Sequence, residues 1–170
     1  VIWKMLLNPA NGVITWLLEI VGFEGMNLLG NPNTVMPVIV FVTFVGNVGQ
    51  AILIYLATMI GIPKDYFEAA DLDGASRWAK IRHIIIPLVK PTTLYLIITN
   101  IVAVLKIFVV IQQLTGGGPN NASVTMMYYL YQNAFVYNRS GVSAAIGVLM
   151  FVIALVLSIP QMKSYLKGDK

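Results

Sequence analysis

An all-α, polytopic membrane protein is the fold class this sequence predicts, and three observations predict it. Hydrophobic residues make up 58% of the 170 and charged residues only 11%, giving a mean hydropathy of +0.78, far from the balance of a water-soluble domain. Three stretches, 35–60, 91–111 and 141–160, match the roughly 20 apolar helical residues that cross a hydrocarbon core of about 30 Å. The first and third carry no charge and the second carries only Lys106. The basic residues are also sorted by position. Lys64, Arg77, Lys80, Arg82 and Lys90 fall between the first two stretches and Lys163, Lys167 and Lys170 follow the third, whereas only Lys4 and Arg139 fall in the opposite loops. Two crossings separate the first group from the second, so both lie on one side, and the positive-inside rule makes that side cytoplasmic. The net charge of +4 therefore records topology rather than a nucleic-acid surface.

The elements follow in order. Residues 1–34 read as the end of a preceding span, with Trp3 as an interfacial anchor, followed by an outer loop. The chain opens on Val1 in apolar sequence, which reads as the C-terminal part of a longer protein. Asn-Pro, Asn-Gly and Gly-Asn-Pro mark turns between 8 and 34, and 13–21 is apolar but too short to cross, which suits an interfacial or bundle-capping helix around Trp16. A first span is expected at 35–61, starting near Pro37. Its middle, Gly46-Asn47-Val48-Gly49-Gln50, either packs closely against a neighbouring helix or lines a solute path with Asn47 and Gln50.

A charged segment fills 62–90. A second span is expected at 91–111, with Asn100 and Lys106 as its polar members. Lys106 either snorkels to the outer interface or contacts a solute. An outer loop and helix fill 112–140. There Gln112-Gln113-Leu114-Thr115 leads into Gly116-Gly117-Gly118-Pro119, a backbone that cannot face lipid with its amides unpaired. Ser123 suits the N-cap of a helix over 124–137, on which Val124, Met127, Tyr128, Tyr131 and Phe135 share a face. That stripe is either packing or a sugar platform. A third span over 141–162 and a cytoplasmic tail over 163–170 complete the chain.

The segment from Glu68 to Pro87, EAADLDGASRWAKIRHIIIP, carries the most specific signal. Asp65 and Glu68 suit the first turns of a helix, Ala69, Ala70 and Ala75 are small enough to seat in a groove, and Gly74 permits a backbone direction that other residues resist. Arg77, Lys80 and Arg82 follow on a second piece, so two short helices around a break are expected. The spacing is Glu-Ala-Ala, three residues, glycine, nine residues, Ile, one residue, Ile86-Pro87. It resembles the EAA loop of binding-protein-dependent ABC importer permeases, with Ile86 in place of the family's leucine.

Phe108, Leu114-Thr115, Gly116 to Pro119, Thr125, Tyr131, Ala134-Phe135, Gly141 and Ala144-Ala145 are similar to the sugar-type branch of the same family, that of the maltose, glycerol-phosphate and multiple-sugar permeases. Many of those have aspartate where this chain has Val109, which weakens any transfer of solute contacts.

The resemblance implies a transmembrane helix bundle of the ABC type I importer kind, its C-terminal portion with about three complete spans, in a bacterial or archaeal cytoplasmic membrane. It implies alternating-access import of a carbohydrate or related solute. The implied partners are an ATP-binding cassette ATPase dimer, a second permease subunit and an extracytoplasmic solute-binding protein. ATP and Mg²⁺ would be bound by the ATPase, with no cofactor on this chain. Glu68, Ala69, Ala70, Asp73, Gly74 and Arg77 map onto the loop that couples to the ATPase. Asn47, Gln50, Asn100, Lys106 and Gln113 are the candidates for the substrate path.

Other classes find less support. Without cysteine there is no disulfide or thiolate metal site, and His83, the sole histidine, supports neither a zinc site nor a histidine-based triad. No Gly-x-x-x-x-Gly-Lys-Ser/Thr stretch occurs, and Gly141-Val142-Ser143-Ala144-Ala145 lacks the last glycine of a nucleophile elbow. No catalytic residue is expected. A channel with Gly116 to Gly118 as a carbonyl filter requires a symmetric homo-oligomer, and an importer of an amino acid, peptide or phosphate is the alternative within the transporters.

Overall fold

The computed structural model describes residues 2–22 and 25–168, with side chains through 159. Val1, Lys170 and the side chains of Lys163 and Lys167 lie outside the described residues, and with them part of the reading of the opening residue and the basic tail. Among the described residues the chain is helical without strands. The helices are α1 (Ile2–Leu6), α2 (Val13–Ile20), α3 (Pro32–Ile60), α4 (Lys64–Leu72), α5 (Arg77–Lys80), α6 (Ile86–Leu105), α7 (Val109–Leu114), α8 (Met126–Tyr131) and α9 (Ser140–Gly168), with π turns at Ile81–Ile85 and Gln132–Val136. Three helices among these residues are long and apolar enough to cross a membrane: Pro32–Ile60, Arg77–Leu105 and Ser140–Ile159.

The helix ends differ from the sequence reading in ways that side-chain chemistry explains. The first long helix starts at Pro32 rather than near Pro37. Asn31 caps it, its Oδ1 accepting from the Asn33 N–H at 2.9 Å, and Pro32 sits at the first helical position, where its missing N–H costs nothing. The Asn-Pro pair is thus a helix start as well as a turn.

The second long helix does not begin at Pro91 but runs unbroken from Arg77. Pro87 would break an α register. The π turn just before it, in which the Ile86 N–H reaches back to the Ile81 carbonyl, widens the helix where the proline has no N–H to give. The same helix stops at Leu105, short of 111. Lys106 and Ile107 close it with tight bonds to Ala103 and Val104 carbonyls, both 3.1 Å, so Lys106 is an exposed residue at a helix end. The third long helix continues past Pro160 to Gly168. A proline interrupts one rung of a helix, and the good helix formers Gln161, Met162, Lys163 and Leu166 carry the α conformation onward.

The chain divides into two compact units, 1–46 with 103–154, and 47–102 with the residues from 155 onward. In the first, Val35, Ile39 and Val42, spaced i, i+4 and i+7 on α3, pack with Leu7, Ile111, Leu114 and Tyr128 into a buried cluster. Val35 and Ile111 are fully buried. In the second, the lower part of α3 is bonded to α6. The Tyr55 hydroxyl donates to Thr93 Oγ1 at 2.9 Å, and the Thr58 and Thr92 hydroxyls lie 3.1 Å apart. Thr58 gives its only proton to the Ile54 carbonyl, so Thr92 is the donor of that pair. Leu96 and Ile98 of α6 are buried in the same unit, while most other apolar side chains of the long helices stay exposed, as a bilayer-facing surface requires.

Candidate functional site

The charged segment folds as an elbow. Pro63 starts α4, and Asp65 falls in its first turn, where negative charge complements the helix dipole. At the other end, Asp73 is the C-cap, with its N–H bonded to Ala69 O. The Gly74 N–H donates to the Asp71 carbonyl at 3.1 Å and the Ala75 N–H to the Ala70 carbonyl at 2.9 Å. These two bonds form the Schellman closure of a helix, which needs the residue after the cap in the left-handed region. Gly74 has φ +69. The spacing from Ala70 to Gly74 is therefore a helix-ending device in this fold: one position supplies the carbonyl and the other the conformation.

The chain then turns at Ser76, whose Oγ accepts from the Ala79 N–H at 3.2 Å and caps α5. The two short helices expected around a break are present. Across the break, the Lys80 ammonium pairs with the Asp71 carboxylate.

The structure gathers Glu68, Ala69, Ala70, Asp73, Gly74 and Arg77 into this elbow, all exposed except the half-buried Ala70. Three residues the sequence reading passed over stand out beside them. Leu72 is 90% exposed, Trp78 69% and Tyr66 54%. Large apolar side chains left exposed beside a charged turn have the composition of a docking surface. The signal was in the sequence, as aromatic and aliphatic residues inside a segment otherwise rich in charge, but hydropathy averaging hides it.

The substrate-path candidates fall in both units. Asn47, Gln50 and Asn100 belong to the second unit, Lys106 and Gln113 to the first, and each is exposed. Asn100 turns its Nδ2 to the Leu96 carbonyl of its own helix at 2.7 Å.

In the first unit the glycine loop is closed by side chains. The Ser123 hydroxyl donates to the Gly118 carbonyl at 2.7 Å and lies 2.7 Å from Thr115 Oγ1. Ser123 is wholly buried and does not cap the next helix, contrary to expectation. Thr125 does, accepting from the Tyr128 N–H, while its own hydroxyl donates to the Ile107 carbonyl at 2.9 Å. The helix is also shorter than 124–137, because a π turn takes over at Gln132. The rings of its stripe contact one another and Phe108, Phe108 to Tyr131 at 4.6 Å and Tyr131 to Phe135 at 5.3 Å between centroids, the separations of favourable aromatic pairs, while Phe135 is itself exposed.

Relatives sharpen the picture. The trehalose/maltose transport system permease protein MalF of Thermococcus litoralis is 34% identical over 95% of this chain and 54% of its own length. The sn-glycerol-3-phosphate transport system permease protein UgpA of Rhizobium meliloti is 36% identical over 92% of this chain and 54% of its own length. The chain thus spans little more than half of each. Among solved structures, a chain of a bacterial alginate ABC transporter, crystallised in complex with an alginate pentasaccharide-bound periplasmic protein, superposes with a TM-score of 0.82. That match has 25% identity over 94% of this chain and 56% of that one. Over residues 2–161 the sequence matches the family described as binding-protein-dependent transport system inner membrane component, and the chain belongs to that family.

Proposed function

We propose that this chain is part of the permease subunit of an ATP-driven importer that moves a carbohydrate or related solute by alternating access, with its elbow as the point of coupling to a separate ATPase. The observation that carries the reading is the elbow itself. The Schellman-closed α4 and the start of α5 together carry the exposed Glu68, Leu72, Asp73, Arg77 and Trp78, and that surface has the mixed charged and apolar character of a protein interface.

In this reading the elbow lies on the cytoplasmic side of a plasma membrane that the subunit crosses several times. The ATPase dimer binds ATP and Mg²⁺, and closure of that dimer moves α4, which passes the movement to the long helices at either end of the elbow. A second permease subunit completes the path, and an external binding protein delivers the solute. Relatives named for trehalose/maltose and arabinooligosaccharide transport support a sugar. The 36% identity to a glycerol-3-phosphate permease supports a polyol phosphate as the second reading. A solute screen on the cognate binding protein separates the two.

The coupling assignment is tested by co-purifying the full-length parent with its ATPase, as wild type and as Glu68→Lys. Wild type is expected to retain the ATPase and the variant to lose it, because reversing a charge in an interface costs on the order of several kcal/mol. Full retention by the variant removes Glu68 from the contact. Failure of wild type to bind removes the coupling reading.

A further inference from the structure

Resting on that reading of the elbow, we propose that Asp71 and Lys80, neither of them among the family-matched coupling residues, are positioning residues that set the angle between the coupling helix and the membrane-spanning helix that follows it. The argument counts the joints. On one side of the elbow, α4 is closed by its Schellman bonds through Ala75. On the other, Ser76 caps α5, and α5 continues without a break through the π turn into α6. The bonds Tyr55 to Thr93 and Thr58 to Thr92 hold α6 to α3. Two short connections remain, 61–63 between α3 and α4 and Ala75–Ser76 between α4 and α5, and the second, where Ser76 is extended at φ −64, ψ 160, sets the direction of α4 relative to α6.

One side-chain contact spans that connection, the Lys80–Asp71 ion pair. It is the one ion pair among the described residues. The Lys80 side chain is only 18% exposed while Asp71 is 65% exposed, so the lysine lies along the protein and reaches a carboxylate that projects into solvent. A pair this exposed contributes little to global stability. Its effect falls on a local equilibrium, because the direction of the short α4 about a two-residue joint is biased by small energies. The geometry fits a clasp that keeps α4 at a fixed angle to α6, so that a push on α4 turns the long helix and is not lost in the joint.

The test uses the complete transporter (full-length parent, second permease, ATPase and binding protein) in liposomes, and reads solute moved per ATP hydrolysed. Lys80→Glu and Asp71→Lys each replace attraction by repulsion, and each is expected to lower that ratio about three- to fivefold, the scale of an exposed pair. Both variants should remain bound to the ATPase. The exchanged double variant, Asp71→Lys with Lys80→Glu, should return to within about twofold of wild type, and Lys80→Arg should keep the ratio because charge and reach persist. Single variants with an unchanged ratio overturn the proposal. So do single variants that lose the ratio while the exchange fails to restore it, since each charge would then be acting on the partner directly. A wild-type parent that binds no ATPase would overturn the functional reading, and the clasp's role with it.

Discussion

Two glycine turns with the same backbone handedness do opposite work in this chain. Gly74 in the elbow has φ +69, and Gly117 in the loop of the first unit has φ +87. A methyl group added at Gly74 would meet nothing within 4 Å, whereas at Gly117 it would lie 2.7 Å from Tyr128 Cε1 and 3.1 Å from Val124 Cγ2. At Gly74 the requirement is conformational alone, and the space around it is open. At Gly117 the requirement is conformational and steric, and the space is filled by the protein's own core. A glycine motif therefore says little by itself. What fills the missing side chain's place separates an open turn from a turn that completes a core.

Substitutions at the two positions test this contrast. Gly117→Ala carries the largest expected effect. The buried Tyr128 ring stacks on Phe108 at 6.0 Å and has little room to retreat, so overpacking and the left-handed backbone together cost about 2–4 kcal/mol. Thermal unfolding in detergent reads this, and a variant as stable as wild type would show that the loop is loose. Gly74→Pro is expected to act on coupling. Proline holds φ near −65° and has no N–H for the Asp71 carbonyl, so the Schellman closure is lost. Uptake should fall by at least about tenfold, equivalent to roughly 1.4 kcal/mol of lost coupling, with membrane insertion intact. Normal uptake by this variant would collapse the distinction between the two glycines.

The sequence showed the helical membrane class, the three membrane-length helices and the break at Gly74 because each rests on local chemistry: apolar length, charge segregation and a residue type that adopts φ +69 without steric cost. It did not show where the second long helix begins. The span was expected to start at Pro91, and the π turn that accommodates Pro87 is a backbone adjustment with no residue-type signature. Ser123 was the expected cap of α8, and Thr125 is the cap the structure has. The choice was made by tertiary contact, since Ser123 is taken by Gly118 and Thr115 in the buried loop and Thr125 is left at the helix start. The elbow's polar residues were legible from motif spacing. The Asp71–Lys80 pair was not, because its members stand nine positions apart across a turn. The apolar surface at Leu72 and Trp78 emerged only when the exposure of individual side chains was known.

The smallest expected effect lies in the ladder that holds α3 to α6, and its sign pattern is more informative than its size. Tyr55→Phe removes a donor, but Thr93 keeps its own proton bonded to the Val89 carbonyl at 3.0 Å, so no donor is stranded. The cost should be about 0.6 kcal/mol, the typical worth of a hydrogen bond between membrane helices. Thr93→Val removes the acceptor and leaves the Tyr55 hydroxyl without its partner in a half-buried place, which costs about 1–3 kcal/mol. Unfolding measurements on the two variants should therefore rank Thr93→Val well above Tyr55→Phe, although both delete the same bond. Equal losses would mean that Tyr55 finds water or another acceptor when Thr93 is gone. In that case the ladder adds little to the rigidity of the helices at the elbow's base, and the ion pair at its joint would act on a looser frame than the bonded helices provide.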